Sequence, residues 1–351
     1  MNIPHIRLLN QQIQEPMFST PEAVVNWMGA IQAQDLTAAT WAIGLRMEVP
    51  DKAAIESAIE SGSIVRIHVN RPTWHFVTQA DLIWMMEMSR KSVESSYVGY
   101  IKNSGIGLKE PLYDKALDII KSALSGGKHL TKNELTPYFE DSDIPHTKFH
   151  LDAYLWRAES RLVVSGGLMR NGQNTYMLID ERLPRKSGVS KDKALAMYAT
   201  KYFRSHAPAT LLDFMWWSGL SVKNARAAIQ SIKRDLEEVV VNNQTYYIHS
   251  YSRTAGSCDD SVTLLPAYDE YLISYRDRRD VLPEKYNNNA YSKRGIFYRI
   301  IQQGGKIVGN WDDKKSSVDI SYFPDLQDFS PNEEETKNAI QKYLDYNNPK
   351  P

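Results

Sequence analysis

Two glutamines, Gln32 and Gln34, stand two positions apart in the segment Ala30-Ile31-Gln32-Ala33-Gln34-Asp35-Leu36. An amide is no general base at neutral pH, but its oxygen accepts a hydrogen bond and its nitrogen donates one. A pair of amides can therefore place a water molecule and stabilise developing charge through orientation and fixed dipoles. Backbone shape decides whether they act together. In a helix, residues i and i+2 point to different faces; in an extended segment they share one. Joint action requires the preceding helix to stop near Ile31 or Gln32. Otherwise the amides cap the helix end or lie on polar surface.

Other chemistry is sparser. No Gly-x-Ser-x-Gly elbow, Walker A loop or Gly-x-Gly-x-x-Gly fingerprint occurs. His146 and His150 could share a helix face, but without a third ligand they read as surface or packing histidines, and no metal site is expected. The single cysteine, Cys258, can form neither an internal disulfide nor a multi-thiolate zinc site.

The elements that must position the glutamines are well signalled. Ser19 or Thr20 as N-cap, Pro21 in the first turn and Val24, Val25, Met28 and Ile31 on one face predict a helix over 21–31. Further helices are expected at 7–14, 37–46 and 51–61. Strands at 63–68 and 73–78 then pair around Asn70-Arg71-Pro72, and a long helix over about 80–101 follows. The same order recurs. Helices at 113–124, from the Thr131–Glu134 capping box, and at 150–161 precede a hairpin turning at Asn171-Gly172. Helices at 191–204, 208–217 and 221–234 precede a hairpin at Asn242-Asn243.

Three helices followed by a two-stranded hairpin is the order of a winged helix-turn-helix. The expected fold is α+β and mainly helical, with three tandem winged units and a small C-terminal antiparallel sheet from 291–301, 306–311 and 317–322. The expected boundaries are unit 1 at 1–108, unit 2 at 109–186, unit 3 at 187–250, a β-rich region at 251–325 and an acidic tail at 326–351 with one possible helix.

The 351 residues carry 42 basic and 42 acidic side chains, a net charge of zero. That excludes a globally basic nucleic-acid binder. The neutrality hides a segregation: 182–234 holds 11 basic and 2 acidic side chains, net +9, between acidic ends. Such a cluster is either a phosphate footprint or a solvated helix surface. No apolar stretch reaches membrane-spanning length, and residues 1–12 lack a signal-peptide core. A cytoplasmic protein with no membrane partner is expected.

Gln32-Ala33-Gln34-Asp35 resembles the Gln-x-Gln motif of the AlkZ-like winged-helix DNA glycosylases. Arg71-Pro72-Thr73-Trp74-His75-Phe76-Val77 resembles a second segment of that family. So do Leu265-Pro266-Ala267-Tyr268-Asp269-Glu270-Tyr271-Leu272, with Tyr275-Arg276-Asp277-Arg278 after it, and Gly305-Lys306-Ile307-Val308-Gly309. The resemblance spans roughly 5–325. It implies winged units curved around a channel for double-stranded DNA carrying alkylated bases. It also implies hydrolysis of the N-glycosidic bond with no metal or organic cofactor, and no obligate protein partner is implied. Gln32 and Gln34 fall on the catalytic pair.

An N7- or N3-alkylated purine is already cationic and leaves without a strong acid, so the amides need only place water and stabilise an oxocarbenium-like sugar. The expected roles are Gln34 on the water or sugar and Gln32 orienting it, or the reverse, with negative charge from Asp35 or Asp269. Arg71, Thr73 and His75 share a face if the strand includes all three. Arg71 and His75 then touch DNA phosphate or form a buried polar network. Arg276 and Arg278 contact the DNA backbone or pair with Asp277, Asp280 or Glu270. The alternative functions are a non-catalytic winged-helix DNA-binding or regulatory protein, and a module whose basic segment meets a partner protein.

Overall fold

The computed structural model describes residues 1–106, 109–182, 188–256, 260–314 and 317–348. Cys258 and the expected 186/187 boundary lie outside the described residues.

Capping chemistry sets the first elements. α1 (Ile3–Asn10) opens on Asn2, whose side chain accepts the His5 N–H. α2 (Pro21–Met28) opens on Thr20, whose hydroxyl accepts the Ala23 N–H, with Pro21 in the first turn. Gly29, at φ +82°, ends this helix before the apolar periodicity does. A backbone in that region suits glycine, and the turn releases the next residues from helical geometry. They form a short extended segment, β1 (Ile31–Gln32), before α3 (Leu36–Gly44), whose first turn Asp35 caps through the Ala38 N–H. α4 (Lys52–Ser61) follows.

β2 (Ile64–Val69) and β3 (Thr73–Thr78) pair antiparallel around Asn70, at φ +59°. α5 (Gln79–Ser104) and α6 (Glu110–Leu124) lead to β4 (Leu130–Thr131). The Thr131–Glu134 capping box forms as expected, but α7 (Lys132–Leu135) lasts a single turn. Pro137 lacks the N–H that would continue it and opens α8 (Pro137–Glu140) instead. α9 (Lys148–Ser160), β5 (Val164–Arg170) and β6 (Gln173–Leu178) complete the segment. α10 (Lys191–His206), α11 (Leu211–Ser218), α12 (Val222–Ser231), β7 (Leu236–Val241) and β8 (Gln244–His249) keep the expected helix–hairpin order. Asn242 and Asn243 both take the positive φ that a tight hairpin turn needs.

Beyond the hairpin come β9 (Val262–Leu265), α13 (Glu270–Ile273), α14 (Asn287–Ala290), β10 (Ile300–Gln303), β11 (Lys306–Asp313), β12 (Val318–Tyr322) and α15 (Glu333–Asn347). The antiparallel sheet runs β12-β11-β10-β9. Its fourth strand, β9, was not expected, and most of 291–299 is irregular.

The chain divides into two compact units, 1–55 with 195–351, and 56–194. This grouping cuts the chain differently from the sequence-based boundaries, because polar side chains of α1 and α3 reach far along the sequence. Arg7 donates to the Pro208 carbonyl and pairs with Asp280 at 2.9 Å. Asn10 donates to the Ala207 and Arg253 carbonyls, and the Trp41 indole N–H to the Leu264 carbonyl. α15 brings Tyr343 and Tyr346 against Trp41, with ring centroids 5.3 and 5.0 Å apart. In the unit 56–194 the strands lie in the order β3-β2-β5-β6-β4. Among the described residues no helix is long and apolar enough to cross a membrane.

Candidate active site

With the helix stopped at Gly29, Gln32 and Gln34 lie outside it, and they differ in exposure. Gln32 is buried and Gln34 exposed. The Gln32 side chain folds back so that its Oε1 accepts the Gln34 backbone N–H at 3.0 Å. The first glutamine is therefore a strut inside the turn, and the second is an exposed residue held by it. Asp35, also exposed, spends one carboxylate oxygen on the α3 cap.

The two acids at α13 have separate tasks. Asp269 is wholly buried and binds Arg46 through both oxygens, at 2.8 and 2.9 Å; one of them also accepts the Tyr271 N–H. Arg46 donates further to Ala42 and Gln11. Asp269 is thus committed to a guanidinium in the interior. This geometry does not offer it as the negative charge facing a substrate, as expected from the sequence. Glu270 instead reaches the glutamine segment, its Oε1 accepting the Gln32 N–H at 2.6 Å. Its Oε2 accepts the Ser274 hydroxyl and lies 3.8 Å from His206 Nε2. Burial pushes the His206 imidazole below its usual pKa, which favours its neutral form.

A cavity of about 700 Å³ lies beside Asp35, with Tyr268, Phe297 and Tyr298 on its wall. That is within the usual range for small-molecule sites, about 300–1,000 Å³. Tyr268 sits at φ +61°. A bulky side chain in that region stores about 1–3 kcal/mol of strain, of the kind that collects at functional sites.

Residues 274–280 are irregular rather than extended, yet the guanidiniums of Arg276 and Arg278 both lie by the Trp216 ring. Arg276 is exposed, with its guanidinium 5.4 Å from the Trp216 ring. Arg278 is buried among Trp216, Tyr291 and Phe297 at 4.7–5.5 Å, and its Nε donates to the Leu272 carbonyl. Burial lowers its pKa. The acids expected as its partners are engaged elsewhere: Asp277 with Arg279, Asp280 with Arg7, Glu270 with Gln32.

In the other unit, Arg71 is half-buried in the turn before β3, so only Thr73 and His75 alternate on that strand. His75 is fully buried and its Nδ1 lies 2.8 Å from the Thr73 carbonyl. The buried-network alternative describes His75 better than a phosphate contact. His146 Nδ1 lies by the Ile144 carbonyl and His150 Nδ1 by the Thr147 hydroxyl.

A family model described as DNA glycosylase AlkZ-like matches residues 25–343. The chain belongs to the AlkZ-like DNA glycosylase family. The interstrand DNA cross-link repair glycosylase of Streptomyces sahachiroi is 22% identical over 346 residues, covering 91% of this chain and 89% of that protein. The solved structure of the Streptomyces sahachiroi DNA glycosylase AlkZ superposes with a TM-score of 0.76 at 18% identity, covering 98% of this chain and 95% of that one. The two share a fold.

The AlkZ-like match includes both glutamines, α13, Arg276 and Arg278. Sequence reasoning missed Glu270 as a neighbour of Gln32, along with Arg46, His206 and Tyr268. A signal for Glu270 was present, since it stands beside Asp269 in a quoted motif. Only the path of α13 decides which of the two adjacent acids meets the glutamines.

Proposed function

We propose that this protein is a DNA glycosylase that hydrolyses the N-glycosidic bond of alkylated purines in double-stranded DNA, in DNA repair or genotoxin resistance. The observation that carries the reading is the Gln32–Gln34 turn, which buries one amide as a strut and displays the other. In this reaction the bond from C1′ to the cationic purine breaks, and the base leaves neutral with the electron pair. Water adds to C1′ and its proton passes to solvent. Gln34 holds that water or the sugar through its amide, and Gln32 sets the height and angle of Gln34. Asp35 contributes negative charge, and the adjoining cavity has room for the departing base.

Three tandem winged-helix units would present this site to DNA. α10–α12 with the β7–β8 hairpin form one, and Lys223, Arg226, Lys233 and Arg234 stand exposed on it. Arg276 lies beside Trp216 as a further phosphate contact. The name of the Streptomyces relative makes cross-linked DNA the second substrate to assay. The test is Gln34→Ala on N7-methylguanine-containing DNA. Losing one placed hydrogen bond at a transition state lowers the rate about 10²–10³-fold, with the thermal midpoint unchanged. Wild-type rates from Gln34→Ala contradict the assignment. Tight DNA binding by the native protein with no release of any alkylated base favours a non-catalytic regulator.

A further inference from the structure

We infer that Glu270 is the positioning residue of the glutamine turn, fixing Gln34 through Gln32. The inference rests on the glycosylase reading and deepens it. Two hydrogen bonds run in series: the Gln32 N–H donates to Glu270 Oε1 at 2.6 Å, and the Gln34 N–H donates to Gln32 Oε1 at 3.0 Å. The chain starts on a carboxylate with no solvent exposure and ends on the backbone N–H of Gln34, an exposed residue.

Both ends of Glu270 are anchored. Its backbone stands in the first turn of α13, which Asp269 caps while bound to Arg46. Its second oxygen accepts the Ser274 hydroxyl. On the same side, the buried His206 ring stacks on Tyr202, with centroids 4.7 Å apart and planes 13° from parallel. A hydrogen bond to a carboxylate is shorter and about twice as strong as one to a neutral acceptor. That stiffness matters because a misplacement of about 1 Å in a positioned group costs about 10²-fold in rate. Gln34 touches the reacting atoms and Glu270 does not, so Glu270 acts on kcat only through the turn.

Glu270→Gln keeps an acceptor and the side-chain volume while removing the charge. It is expected to lower kcat about ten- to a hundredfold with KM for DNA within about twofold of wild type. In a Gln34→Ala background the same substitution is expected to cost less than about twofold more, since the group it positions is gone. A merely structural role would give the same loss in both backgrounds. Should Glu270→Gln fail to fold, Ser274→Ala loosens the same carboxylate and is expected to show the same pattern at about threefold to tenfold. A folded variant with wild-type kcat, or losses that multiply independently, overturns the inference alone. A wild-type protein that releases no alkylated base overturns the glycosylase reading, and this inference with it.

Discussion

Asp269→Asn separates two fates for the acid next to Glu270. Asp269 and Arg46 have no side-chain exposure, and they meet through two contacts of 2.8 and 2.9 Å. Removing one partner of a buried pair leaves an uncompensated charge and costs about 3–5 kcal/mol. Asparagine keeps one oxygen, which can still cap α13 through the Tyr271 N–H, so the lower end, about 3 kcal/mol, is expected. A typical domain is stable by only about 5–15 kcal/mol. With a urea dependence of about 3 kcal/mol per molar, the unfolding midpoint falls by about 1 M. Arg46→Met in the same chain removes the orphaned cation and should recover much of that loss. The assay is equilibrium urea unfolding followed by tryptophan fluorescence, which Trp41 in the same unit helps to report. An unchanged midpoint with kcat collapsed would refute the reasoning, because the carboxylate would then be serving the reaction rather than the fold.

Three further outcomes are expected. The His206 pKa lies lower in the folded chain than its ordinary 6.5 because burial penalises the imidazolium, so the folded state binds fewer protons. The stability this contributes is present above about pH 6.5 and is lost as the pH falls through that value toward the folded pKa. Unfolding free energies at pH 7.5 and 5.5 should therefore differ less for His206→Asn than for wild type, and equal slopes would contradict this. Tyr343→Ala should cost about 3 kcal/mol in chemical unfolding. It removes a buried ring from Trp41 and Trp311 and a 2.7 Å hydrogen bond to Asp313. Arg276→Ala should reduce the log–log salt slope of DNA binding by about 0.9, the value of one phosphate contact; an unchanged slope places Arg276 off the DNA.

Local features of the sequence were legible where local chemistry dictates structure. Thr20 and Pro21 start α2, the Thr131–Glu134 box starts α7, and paired asparagines turn the β7–β8 hairpin. Each is a matter of a few adjacent residues satisfying backbone groups or tolerating positive φ. β9 was missed because Val262–Leu265 is four residues long and gains its pairing from β10, far along the chain. The ending of α2 at Gly29 overrode an apolar periodicity that ran on to Ile31, since Ile31 is buried from an extended backbone as well as it would be from a helix.

The candidate site divides in the same way. The sequence by itself determined that two amides stand two apart close to the end of a helix, that an acidic pair occurs in a tyrosine-rich motif, and that the basic charge is concentrated in one stretch. Tertiary structure alone decided that Gln32 is buried and Gln34 displayed, that Asp269 goes to Arg46 and Glu270 to Gln32, and that Arg278 is enclosed while Arg276 is open. The physical reason is that caps and turns are settled within a few residues of chain. The partner of a buried charge is settled by desolvation, which takes whichever group the fold brings within reach, here from 223 and 238 positions away.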